Sequence, residues 1–244
     1  MQLRVSAIRQ ETPDSKSFCL VTPLVTPSPV SSFSFLPGQF LTLTAELWNP
    51  KRNRPGPVHR AFSISSSPLD QDGVEIAAKR YEAGRMTPWL HETVREGQML
   101  DAKGPDGEFV FREGETDEVI LIAGGIGIAP FRSIIRYIIQ KRLPVQVRLL
   151  YSARTPADFA FADEFNALAR QATNFRCLYT VTRPATTPEW SGRVGRVDEA
   201  LLREQTGSNR ALYYLCGPNI MINETATTLL RLGVDEPRIR FERW

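Results

Sequence analysis

The chain has 244 residues, enough for two ordinary domains that each bury a core. Its 42% hydrophobic and 23% charged residues are those of a globular protein, not a disordered or fibrous one. Thirty Lys and Arg against 27 Asp and Glu leave a formal charge of +3, too small to point to nucleic acid but compatible with a basic docking face for an acidic partner.

Residues 1–8 alternate apolar and polar like a half-exposed strand and lack the continuous apolar run of a secretion signal. No later stretch approaches the roughly 18 uncharged apolar residues that cross a bilayer, so the expectation is a cytoplasmic protein without a membrane or nucleic-acid partner. Up to about residue 111, short strands alternate with Pro and Gly. Strands are predicted at 40–45, 61–65 and 74–79, and turns at Pro37-Gly38, Asp72-Gly73 and Gly104-Pro105. A short helix is predicted at 88–94 with Thr87 as its cap, and the Pro- and Ser-rich 23–34 reads as a surface loop. That pattern predicts a small antiparallel β-barrel.

After residue 114 the rhythm changes to strand 119–122, helix 130–141, strand 145–151, helix 163–170, strands 175–181 and 213–215, and helix 220–232. Such alternation predicts an α/β doubly wound parallel sheet, and a division into domains 1–113 and 114–244. Cys19, Cys177 and Cys216 are odd in number and widely spaced, which fits neither a disulfide framework nor a zinc site. Three scattered thiols also cannot supply the four ligands of a plant-type two-iron cluster. No metal site is expected, and an iron–sulfur acceptor would lie on another chain.

Strand 119–122 runs into Ala123-Gly124-Gly125-Ile126-Gly127-Ile128-Ala129-Pro130, with Pro130 at the expected first helical position. Glycines there admit close approach of a pyrophosphate to the helix N-terminus, although a purely structural turn reads the same way. Arg60-Ala61-Phe62-Ser63 on its own is equally an ordinary barrel strand, and Gly84-Arg85-Met86-Thr87 equally an ordinary helix cap.

Taken in order, these segments together with Tyr151-Ser152-Ala153-Arg154, Cys216-Gly217-Pro218-Asn219-Ile220-Met221 and Glu242-Arg243-Trp244 resemble the ferredoxin–NADP reductase superfamily over nearly the whole chain. The resemblance implies a barrel that binds FAD and a second domain that binds a nicotinamide dinucleotide. It implies Arg60 on the flavin diphosphate, Phe62 against one face of the isoalloxazine where relatives usually have Tyr, and Ser63 donating near flavin N5. Ala61, Ala78, Lys79, Gly84, Arg85, Met86 and Thr87 would hold the rest of the cofactor. Gly125, Gly127, Ile128, Ala129 and Pro130 would hold the dinucleotide, and Gly217 and Pro218 would flank Cys216 at the nicotinamide.

By the same resemblance, Cys216 makes a steric and polarising contact instead of a nucleophilic attack, in a Ser63–Cys216–Glu242 cluster that orients the ring and relays a proton. Trp244 would cover the other flavin face until nicotinamide displaces it. Arg154, Arg183 and Arg193 resemble the arginines that hold a 2′-phosphate, which favours NADP(H) over NAD(H). The implied activity is an NAD(P)H oxidoreductase passing electrons to a small acidic protein, ferredoxin or flavodoxin. Alternatives are a reductase serving an oxygenase, a free-flavin or ferric reductase, and a non-catalytic flavin-binding subunit.

Overall fold

Alternating burial along β1 (Gln2–Thr12) and β3 (Phe40–Asn49) puts Leu3 and Val5, and Leu41 and Leu43, on single faces, as the two-residue period of a strand requires. The computed structural model describes residues 1–23, 34–183 and 190–243. Its first compact unit is Met1–Phe111 with Arg132–Tyr137, and its second is Arg112–Phe131 with Ile138–Trp244.

The first unit adds β2 (Ser15–Val21), β4 (Arg54–Ser63), β5 (Val74–Lys79) and β6 (Met99–Asp106) to β1 and β3, in the sheet order β4-β3-β6-β1-β2-β5. All its paired strands are antiparallel. The ends meet where Ile64 bridges Ile76 and the Ser65 N–H donates to Glu75 O at 2.7 Å, which curls the sheet into a barrel. Leu3, Phe18, Leu20, Leu41, Ile64 and Ile76 fill it. The Glu75 carboxylate beside that seam is buried and takes an ion pair from Arg132, a second contact from Arg9 at 3.3 Å, and its backbone N–H donates to Ser66 Oγ at 2.9 Å.

Helix α1 (Met86–Glu92) begins two residues earlier than expected. Thr87 lies within it and caps nothing: its hydroxyl accepts the Tyr81 N–H at 3.1 Å, and Arg85 stands at the N-cap without a side-chain bond. Gly104-Pro105 is no turn between elements but lies inside β6, at a register irregularity opposite Phe40 and Thr42, with Gly104 at φ +120°. Strand β4 starts seven residues before the predicted 61, because an edge strand tolerates Pro55 and Pro57, whose missing N–H groups face no ladder. Of the predicted loop 23–34, positions 24–33 lie outside the described residues.

The second unit is β7 (Glu118–Gly124), α2 (Ala129–Gln140), β8 (Gln146–Ala153), α3 (Ala162–Gln171), β9 (Phe175–Val181), β10 (Arg193–Val194), α4 (Glu199–Gln205), β11 (Leu212–Cys216), α5 (Asn219–Arg231) and β12 (Ile239–Glu242). The strand order β10-β9-β8-β7-β11-β12 is parallel throughout. All seven residues of β7 are buried, as a central parallel strand covered on both faces must be. From β7 the chain builds outward to β8, β9 and β10, then returns to add β11 and β12 on the other side. The switch point therefore lies beyond the carboxyl ends of β7 and β11, where such sheets hold ligands. A 3-10 turn at Gly125–Ile128 precedes α2, so Pro130 is the second residue of the helix and not the first. Among the described residues no helix is long and apolar enough to cross a membrane.

Removing one partner of a buried ion pair strands the other charge at a cost of about 3–5 kcal/mol, whereas replacing both by apolar groups is close to neutral. Arg132→Met is therefore expected to lower the unfolding free energy in urea by about 3 kcal/mol, and adding Glu75→Leu to recover more than half of the loss. Two losses that simply add would contradict the pair's role at the barrel seam.

Candidate functional site

In the first unit the motif Arg60-Ala61-Phe62-Ser63 closes β4. Arg60 is exposed, Ala61 half-buried, and Ser63 buried at 1% exposure. Phe62 departs from expectation. It pairs with Leu41 and packs into the barrel core at 7% exposure, which leaves little ring face for a stacked isoalloxazine. Without a hydroxyl to hold at the surface, the ring gains more by burial.

Ala78 is buried and its carbonyl accepts from His91 Nε2 at 2.8 Å; burial lowers the pKa of that imidazole. Lys79 is bound to Asp14; burial raises the pKa of that carboxyl, but the ion pair and hydrogen bond from Lys79, joined by the hydroxyls of Thr12 and Ser15, hold it below its usual range. Next to them the turn from Tyr81 to Met86 is tied by the Gly84 N–H donating to Tyr81 O at 2.9 Å and by the Thr87 hydroxyl. Gly84 is exposed and Met86 buried. Arg85 Nη1 is buried with no hydrogen-bond partner among the described residues. An orphaned guanidinium donor beside an exposed glycine turn suits an anionic group such as a flavin phosphate. Tyr81, 51% exposed on the same turn, is an aromatic surface that motif reading missed.

In the second unit the glycines divide by role. A Cβ on Gly127 would lie 2.3 Å from Cys216 O, one on Gly124 2.7 Å from Pro218 Cδ, and one on Gly217 2.9 Å from Gly124 Cα. These three permit the turns after β7 and β11 to touch. Gly125 is different: it sits at φ +54° and a Cβ there would meet nothing within 4 Å. Of the four, it alone borders open space at the start of the helical segment, as a glycine admitting a phosphate or a ring must. Ile128, Ala129 and Pro130 are buried and anchor the start of α2.

Cys216 ends β11 fully buried, in register between Ala123 of β7 and Glu242 of β12. Burial, and then the nearby Glu242 carboxylate, push its thiol well above the usual range. At neutral pH it is therefore a neutral S–H, a packing and weakly polar contact and no nucleophile. Gly217 follows at φ +151° and Pro218 is the N-cap residue of α5.

Arg154 and Arg183 follow β8 and β9, both exposed, and the Arg183 N–H donates to Arg154 O at 2.9 Å, which holds them side by side. Arg193 stands apart from them chemically: its guanidinium is engaged by Asp198 at 2.8 Å and by Arg196 O at 2.9 Å, where it steadies the aspartate that caps α4. The first acid after β8, Asp158, is likewise occupied, closing a capping box with Thr155 at 2.8 and 3.0 Å. Trp244 lies outside the described residues.

A barrel with an orphaned cation at a glycine turn, and a parallel sheet with an open glycine and a buried thiol at its switch point, define a two-domain flavin- and dinucleotide-binding protein. An oxidoreductase FAD-binding domain model matches residues 2–111 and an oxidoreductase NAD-binding domain model matches residues 121–227. The ferredoxin reductase in carbazole 1,9a-dioxygenase is 30% identical with a TM-score of 0.78, over 99% of this chain and 68% of that one. The glycine betaine monooxygenase reductase subunit of Pseudomonas aeruginosa is 31% identical over 98% of this chain, which spans only 63% of that relative's length. The FAD/NAD-binding domain of the nitric oxide dioxygenase of Vibrio cholerae has a TM-score of 0.84 at 23% identity, covering 100% and 98% of the two chains, a likeness of fold. The chain belongs to the ferredoxin reductase-like family of FAD- and NAD-binding oxidoreductases.

Gly127→Ala is expected to destabilise the protein by more than 2 kcal/mol in urea, because the methyl meets backbone that cannot yield. Gly125→Ala is expected to cost only the roughly 1 kcal/mol of a left-handed alanine while weakening nicotinamide dinucleotide binding in a fluorescence titration. Equal stability losses in the two variants would contradict this division.

Proposed function

We propose that the chain is an FAD-dependent reductase that takes electrons from NADPH and passes them to a separate one-electron acceptor protein in the cytoplasm, with domains 1–113 and 114–244 for flavin and dinucleotide. The observation that carries the reading is the switch point itself, where open Gly125 stands on β7's turn and neutral Cys216 ends β11, in a chain whose two halves match FAD- and NAD-binding domains. FAD held here would supply the conversion of a hydride, two electrons with one proton, into single electrons, so that each NADPH would reduce two one-electron acceptors and free one proton.

The chain's own residues bind and orient. Arg60 and Arg85 carry the charge for the flavin diphosphate, and Ser63 offers a hydroxyl donor for N5. The buried Cys216 thiol, at the carboxyl end of β11, would line the nicotinamide site and help exclude water from it. Glu242, its half-buried neighbour in β12, would relay a proton between the site and solvent. Cys216→Ala with full flavin content should slow stopped-flow flavin reduction by roughly ten- to a thousandfold, the range for losing one positioned contact. A wild-type rate would remove Cys216 from the alignment.

For the dinucleotide, Arg154 and Arg183 offer adjacent exposed cations, and Asp158, the first acid after β8, is engaged in its own turn. Both favour a 2′-phosphate over a bare ribose hydroxyl. Arg193 would have to leave Asp198 to join them, so the preference rests on Arg154. Arg154→Ala should lower kcat/KM for NADPH about tenfold and leave NADH nearly unchanged. A wild-type enzyme that prefers NADH would reject the preference.

The names of the relatives favour one acceptor in particular, a redox protein serving an oxygenase, with ferredoxin ahead of flavodoxin. Purified protein is expected to carry noncovalent FAD and to turn over ferricyanide with NADPH. Recovery of FMN alone would remove the adenylate part of the reading, and absence of both flavin and turnover would defeat it.

A further inference from the structure

Strand β3 pairs with β6 only through Thr44 but continues beside β4 to Asn49, so residues 45–49 and 54–58 form a two-stranded arm whose Ala45, Leu47 and Val58 still pack on the barrel core and whose tip alone projects. Its tip is exposed and basic: Lys51, Arg52 and Arg54 fall within four residues, and none forms an ion pair among the described residues. Elsewhere arginines such as Arg80, Arg148 and Arg203 are paired with carboxylates. The tip is held in shape by Asn49, whose Oδ1 accepts the N–H groups of Lys51 and Arg52 at 3.1 and 3.3 Å, and by Asn53 at φ +49°. Cations on an ordered turn lose less entropy when a partner binds. Trp48, opposite Pro55 and 55% exposed, adds the kind of aromatic that anchors interfaces.

We propose that this arm is the docking element for an acidic electron-accepting protein, an inference that rests on the proposed function and adds where its acceptor is held. Charge complementarity selects the occupant: three unpaired cations attract a carboxylate-rich surface and speed its encounter. Pro55 and Pro57 withhold N–H donors from the outer edge of β4, so the arm does not suit strand-to-strand addition of a second copy. The same strand ends in Arg60 to Ser63, the motif assigned to the flavin. At about 3.3 Å per residue, Arg54 and Arg60 are roughly 20 Å apart. A partner of about 100 residues, with a radius of gyration near 13 Å, spans that interval.

The test uses an acidic [2Fe–2S] ferredoxin as probe and measures its NADPH-driven reduction at low and high salt, with ferricyanide as the small-molecule control. The variant K51E/R52E/R54E should lose about tenfold or more in kcat/KM for ferredoxin at low salt and flatten the salt dependence, with FAD content and ferricyanide turnover as in the wild type. Trp48→Ser should raise KM for ferredoxin several-fold with the salt slope intact. Ferredoxin reduction unchanged by the triple variant overturns the proposal. So does a wild-type chain that turns over ferricyanide but not ferredoxin, or a charge reversal that acts by dissociating a dimer in sedimentation. Wild-type protein without ferricyanide turnover is a failure of the proposed function itself.

Discussion

Contact between two backbone turns, the one after β7 and the one after β11, is the constraint on which the second unit depends. A side chain at Gly127 or Gly217 would place a carbon 2.3 or 2.9 Å from the opposing backbone. With hydrogen there instead, β7 and β11 lie side by side through Cys216 and Ala123, and α2 and α5 start next to one another. The thiol position follows from this closeness, since Cys216 is the last residue of a strand locked on both sides. So does the opening at Gly125, the position in that loop where a missing side chain leaves space instead of filling it.

Charge is divided in the same way between structure and ligand. Arg132 with Glu75, Lys79 with Asp14 and Arg193 with Asp198 are satisfied internally, two of them at or near sites where motif reading would assign them to a cofactor. Arg85 Nη1 and the cations of the β3–β4 arm are not. A buried donor without a partner costs about 1–3 kcal/mol, a cost that an anion bound at the Gly84 turn would remove for Arg85.

The outline of both sheets was legible in sequence because their signals are local. Period-2 alternation, Gly and Pro punctuation and the strand–glycine–helix passage at 118–130 are each read within a dozen residues. β5 and β9 match their predicted bounds, 74–79 and 175–181. What escaped depends on distant neighbours. β2 and β12 hold their places by pairing with β5 and with β11, and Pro55 and Pro57 hide a strand whose outer edge happens to be unpaired. At the site, the motifs located the right segments but not the use of each side chain. Nothing local to Arg60-Ala61-Phe62-Ser63 says that Phe62 turns into the barrel, nor does Arg193 disclose that Asp198 occupies it.

The proposed activity requires that a nicotinamide dinucleotide deliver hydride to a flavin held by this chain. Anaerobic titration of the purified, FAD-loaded protein with NADPH, followed by the flavin's visible absorbance, measures this directly. Bleaching is expected to be stoichiometric, complete near one NADPH per FAD because each carries two electrons, with colour restored by two equivalents of a one-electron oxidant. Flavin that binds but keeps its absorbance through a large excess of both NADPH and NADH would contradict it.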